Sequence, residues 1–146
     1  MPFLTIAYVN LFGQIGFKTD KVLALSDFIK HYNVDIINCQ EDNVDTDTFN
    51  VSDFICSNYD IIPNNAISKY GTCSLVSNNL SYNNVRFDTD RRAISFDLPD
   101  LYMNNGNIYL PSGNDSMTKQ KREEYSSRIL PNIFLDHLPN FMIGGD

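Results

Sequence analysis

Four polar residues each close an apolar run in this sequence. Asn10 ends Phe3-Leu-Thr-Ile-Ala-Tyr-Val-Asn10, and Glu41 ends Val34-Asp-Ile-Ile-Asn-Cys-Gln-Glu41. Tyr109 lies in Asn107-Ile-Tyr-Leu-Pro-Ser-Gly113, and Asp146 follows Phe141-Met-Ile-Gly-Gly145. A side chain placed at a strand end is held rigidly while facing solvent, which is where catalytic groups are usually mounted. Carboxylates and phenols are among the side chains that transfer protons. Each of the four, taken alone, is equally an ordinary turn, strand-end or core residue. Four such ends suggest one shared rim.

The elements that must position them follow from spacing. Residues 3 to 9 are rich in β-branched and aromatic types and suit a strand covered on both faces. Thr19 or Asp20 can cap a helix in which Val22, Leu25, Phe28, Ile29 and Tyr32 recur at helical spacing, stopped by Asn33. Residues 34 to 40 then form a second buried strand, giving a βαβ-like opening. The acidic stretch from Glu41 to Asn50 reads as a loop or a single helical turn. Short strands follow at about 53 to 62, 72 to 77, 84 to 88, 92 to 98 and 101 to 110, separated by polar turns, the mark of antiparallel meanders in a sandwich. Residues 115 to 137 have helical period, capped by Asp115 or Ser116 and kinked at Pro131. Pro139 and Gly144-Gly145 bound a last, buried strand. The asparagine richness, with its repeated Asn-Asn pairs, looks compositional, without evident chemistry.

The chain has 146 residues, one domain's worth, with 42% hydrophobic and 20% charged residues; these values fit a folded globular protein and not a disordered one. A formal charge of -7 repels nucleic acid on average, so a phosphate ligand needs a local basic patch or a metal ion. Arg91-Arg92 and Lys119 to Arg122 are the basic clusters, and each reads equally as a solvated charge cluster. Cys39, Cys56 and Cys73 are odd in number and widely spaced, which favours small buried hydrophobes in a reducing compartment over a disulfide framework. No secretory leader and no apolar run of membrane-spanning length is evident, so the expectation is an intracellular protein with no membrane partner.

Asn10, Gln40-Glu41, Tyr109 and the Gly-Gly-Asp146 ending, in that order and spacing, resemble the endonuclease/exonuclease/phosphatase superfamily. Gly71-Thr-Cys-Ser-Leu-Val and Arg91-Arg-Ala-Ile-Ser-Phe look like two further strands of its pattern, nearest to the apurinic/apyrimidinic-type endonuclease domain of non-LTR retrotransposons. The resemblance implies an α+β (α/β sandwich) fold: a DNase I-like two-sheet β-sandwich flanked by helices, with its site at one rim. It implies Glu41 as ligand of a divalent metal, Mg²⁺ or Mn²⁺ in its place. An ion of that kind is held by one or two carboxylates and keeps several waters. Asn10 would orient ligands beside it, Tyr109 would face the scissile phosphate, and Asp146 would orient or deprotonate the attacking water. Arg91, Arg92 and Tyr109 would contact the DNA or its phosphate, and a retrotransposon endonuclease would be nuclear.

The sequence also departs from that pattern. The Phe-Asn that follows the family's Gly-Asp is absent, as are its later acidic and histidine motifs. His31 lies on the first helix and His137 at the end of the last, outside the family's histidine slot. The expectation is an N-terminal, incomplete domain whose second sheet is largely missing, leaving an apolar face uncovered. Three functions stay open: a metal-dependent DNA endonuclease fragment, a phosphatase acting on a sugar- or lipid-linked phosphate, and a catalytically dead remnant. Oligomeric state is not legible.

Overall fold

In the computed structural model the described residues are 3–10, 19–42, 48–62, 71–88, 90, 92–111, 113–134 and 140–145; for residues 41, 42, 48, 129, 134 and 141 the description is of the backbone alone. Strand β1 (Ile6–Asn10) leads to helix α1 (Thr19–Tyr32) and strand β2 (Ile36–Asp42). β1 and β2 pair in parallel, as a βαβ opening requires. Asn33, at φ 50°, ends α1 in the left-handed conformation, and the Val34 N–H closes the end on the Ile29 carbonyl.

A 3-10 turn (Thr48–Val51) precedes helix α2 (Asp53–Asn58) and strand β3 (Tyr59–Ile62). The single strand expected over 53 to 62 is thus corrected to a helix followed by a short strand. Ser52 is the cause: its side chain accepts the Ile55 N–H and nucleates a helical turn, helped by Asp53 in the first turn. β4 (Gly71–Ser77) lies between β2 and β3 in the first sheet, whose order is β1-β2-β4-β3.

The second sheet contains β5 (Asn83–Phe87), β6 (Ala93–Leu98), β7 (Met103–Ile108) and β8 (Asn140–Gly145), in that spatial order. β5, β6 and β7 form the expected antiparallel meander, and β8 joins β7 in parallel. The expectation that this sheet is largely missing is corrected. Ile94, Phe96 and Leu98 of β6 pack against Ile36, Ile62 and Val76 of the first sheet, so the apolar face is covered. The last strand is also less buried than expected: Met142 and Ile143 are 43% and 46% exposed, because β8 lies at the sheet's end and pairs only with β7 among the described residues.

Helices cover both outer faces. Val22, Leu25 and Ile29 of α1, with Phe49 and Ile55, pack on Ile37, Cys39, Cys73 and Leu75. Helix α3 (Ser116–Glu124), a π turn (Tyr125–Ile129) and helix α4 (Leu130–Phe134) place Tyr125 and Ile133 on Ala93. The helix departs from α geometry one turn before the kink expected at Pro131, since proline offers no N–H to the preceding turn. Cys39 and Cys73 are buried as expected, but Cys56 is exposed on α2. No helix among the described residues is long and apolar enough to cross a membrane.

Candidate active-site rim

Alternation along β2 sends Ile37 and Cys39 toward the helices and Ile36, Asn38 and Gln40 toward the other sheet. The inter-sheet layer therefore changes character along the strand, from the apolar Ile36 to two amides. Asn38 and Asn105 form a reciprocal amide pair at 3.0 and 3.1 Å, and the Ser74 hydroxyl donates to Asn38 at 2.7 Å. One step further on, Gln40 Nε2 donates to Asn107 Oδ1 at 2.7 Å, while Asn107 Nδ2 reaches the carbonyls of Cys39 and Cys73 at 3.1 and 2.9 Å. All four of Asn38, Gln40, Asn105 and Asn107 are buried. The asparagines set aside as compositional are thus the polar weld between the sheets, each hydrogen bond contributing on the order of 1 kcal/mol net.

This weld fixes direction. Asn38 meets Asn105 and Gln40 meets Asn107 with the same offset of 67 residues, so β2 and β7 run alongside each other in one sense across the sandwich. β1 is parallel to β2 and β8 is parallel to β7. Four strands consequently end at one rim. Asn10 pairs with Gln40, Gln40 bonds Asn107, and Asn107 pairs with Gly144, giving one transect across the molecule.

Asn10 is the last residue of β1, Glu41 follows the Gln40 level in β2, and Tyr109 comes directly after β7. The Glu41 side chain, Arg91 and Asp146 lie outside the description, as does His137; Gly145, which precedes Asp146, pairs with Ile108. Both glycines before Asp146 are sterically required. A Cβ on Gly144 would sit 2.5 Å from the Tyr8 ring, and one on Gly145, at φ +152°, would sit 1.7 Å from the Ile108 carbonyl oxygen. Among the described residues no cluster of three or more His, Cys, Asp or Glu side chains could hold a metal ion.

Tyr109 and Arg92 are brought together. The Tyr109 N–H donates to the Arg92 carbonyl at 2.8 Å, the Arg92 guanidinium lies 5.1 Å from the centre of the Tyr109 ring, and its Nη1 reaches the Tyr109 carbonyl at 3.5 Å. Tyr109 is only 4% exposed. A buried carboxylate that sequence reading passed over stands behind them: Asp88 accepts the Ala93 N–H at 2.9 Å and the Tyr125 hydroxyl at 2.7 Å. Burial pushes the Tyr125 phenol far above its ordinary range, and the charge of Asp88 adds to the rise. The signal for Asp88 is an acidic residue directly after β5 and just before Arg91-Arg92. Burial likewise raises the Tyr8 phenol, on the strand opposite Gly144.

Two layered mixed sheets with helices on both outer faces make a DNase I-like α/β sandwich. Solved structures share it. The chain aligns over 99% of its length with an AP endonuclease from Archaeoglobus fulgidus (TM-score 0.75, 19% identity), covering 57% of that chain. It aligns over 98% with truncated Caenorhabditis elegans TDP2 (TM-score 0.70, 18% identity, 61% of that chain). It aligns equally over 98% with D. rerio TDP2 complexed with a single-strand DNA product (TM-score 0.67, 14% identity, 60% of that chain). The chain thus spans about three-fifths of the length of these structures. No protein-family model and no curated protein sequence matches it.

Proposed function

We propose that this chain carries the first part of a metal-dependent phosphodiesterase site that acts on DNA. The observation that supports it above all is the common rim at which β1, β2, β7 and β8 end, fixed by the Asn38–Asn105 and Gln40–Asn107 bonds. The neighbours add to it, one being an AP endonuclease and another a TDP2 bound to a single-strand DNA product. Similarity to the retrotransposon endonucleases adds the Gly71 and Arg91-Arg92 segments and implies a nuclear substrate.

In this reading Glu41 is the metal ligand and Asn10, one strand away beside Gln40, helps orient it. One carboxylate and one amide at neighbouring strand ends suit Mg²⁺ or Mn²⁺, which retain several of their waters. The ion, when bound, would neutralise charge developing on the phosphate. Asp146 orients the attacking water and takes its proton, and the Tyr109 hydroxyl donates to a phosphate oxygen. Arg91 and Arg92 meet the DNA backbone. The second asparagine and the histidine of the resembling family have no counterpart in this sequence, and the coverage of about three-fifths supports an incomplete set.

Two measurements test this. Mn²⁺ binding, followed by water proton relaxation, is expected for the wild type and lost in Glu41→Ala. The 146-residue chain with Mg²⁺ is expected to leave supercoiled plasmid intact. Absence of Mn²⁺ binding in the wild type would favour the inactive remnant. Robust nicking that vanishes in Glu41→Ala would overturn the incompleteness.

A further inference from the structure

Beyond β7 the chain leads to α3, and three of its carbonyls, on alternate residues, are held by guanidinium groups. The Tyr109 carbonyl takes Arg92 at 3.5 Å, and Arg122 Nη1, reaching up from α3, donates to the Pro111 carbonyl at 2.8 Å and to the Gly113 carbonyl at 2.7 Å. The two Arg122 bonds are short and charge-assisted, the strong class of hydrogen bond. The same stretch is fixed at its far end, where Asp115 caps α3 and accepts from the Thr118 N–H and hydroxyl at 2.9 and 2.6 Å. Arg122 is part-buried, unlike a freely solvated surface cation.

We infer that Arg122 is a positioning residue for Tyr109 and not a contact for nucleic acid: with Arg92 it clamps the chain after β7 so that Tyr109 is preformed at the rim. The inference rests on the reading of Tyr109 as the phosphate-facing residue. It separates Arg122 from Lys119 and Lys121, which are exposed and carry no such carbonyl contacts among those described. The physical advantage is that a phosphate would meet an ordered wall, without the cost of ordering a loop on binding.

The test compares wild type, Arg122→Met and Arg122→Lys. Amide hydrogen exchange at Leu110, Gly113 and Asn114 is expected to quicken on the order of tenfold in Arg122→Met and to recover in part in Arg122→Lys, which keeps a charged donor. Binding of a 5′-phosphorylated single-stranded oligonucleotide should weaken while the slope of log K against log salt stays unchanged. A slope smaller by about 0.7 would mark a lost phosphate contact and overturn the inference. So would unchanged exchange in Arg122→Met. If that variant fails to fold, Arg122→Gln takes its place with the same expectations. Carbon-13 labelling of tyrosine rings tests the underlying reading separately. A wild-type Tyr109 signal that ignores the oligonucleotide overturns the phosphate role, whereas the exchange data decide the clamp.

Discussion

Asn107 has both ends of its amide in use: the nitrogen on the Cys39 and Cys73 carbonyls, the oxygen on Gln40 Nε2. Leucine is close to it in size but can satisfy none of these partners. Asn107→Leu therefore removes the buried bonds to both carbonyls and to Gln40, whose amide keeps only its bond to the Asn38 carbonyl, and the expected loss is about 2–4 kcal/mol. Urea denaturation checks this; an effect within the noise would mean that the layer relaxes or admits water. Tyr109 and Arg92 belong to the same scale. Their pairing follows the register of neighbouring strands, Ala93 opposite Ile108, extended by one residue on each.

At the scale of elements, α3 begins where its carboxylate cap decides. The hydroxyl and N–H of Thr118 bond the Asp115 side chain and hold its pKa below the ordinary carboxylate range. A carboxyl whose folded pKa is depressed contributes stability in full above its unfolded value and loses it as pH falls through the folded one. The start of α3 should therefore loosen in acid, below a pH of about 4. The Thr118 amide exchange rate and nitrogen shift report it. Asp115→Asn, which caps without titrating, should flatten that acid response; an identical acid transition in the variant would exclude the cap as its source. Because Arg122 lies on the same helix, the cap and the clamp fix the chain after β7 from one body.

For the whole molecule, charge governs what can approach. With 18 acidic against 11 basic residues, any DNA binding must be carried by a few local cations against an unfavourable mean field. Binding of a labelled single strand, read by fluorescence anisotropy, is expected to weaken roughly twentyfold between 50 and 200 mM salt if about three phosphates are neutralised. Salt-insensitive binding would contradict contacts of this kind. The sandwich supplies the other global constraint. Its inter-sheet layer is apolar around Ile36, Val76 and Phe96 and polar at Asn38 and Gln40, so the sheets are welded by amides toward the end where the strands finish.

Local pattern in the sequence determined the βαβ opening, the meander of β5 to β7, the Asp115 cap and the polar residues closing the apolar runs, because periodicity and capping act within a few residues. The same local logic misread Asp53–Asn58, where the Ser52 cap outweighed an apolar run that looked like a strand. Only the tertiary structure decided which asparagines are buried, that Asp88 holds Tyr125, that Arg122 grips the chain beyond Tyr109, and that four strand ends share a rim. The Asn38–Asn105 and Gln40–Asn107 bonds join residues 67 positions apart. An asparagine in a polar-looking run carries no local mark of the partner it will meet across a sandwich, since that partner is selected by how two sheets stack.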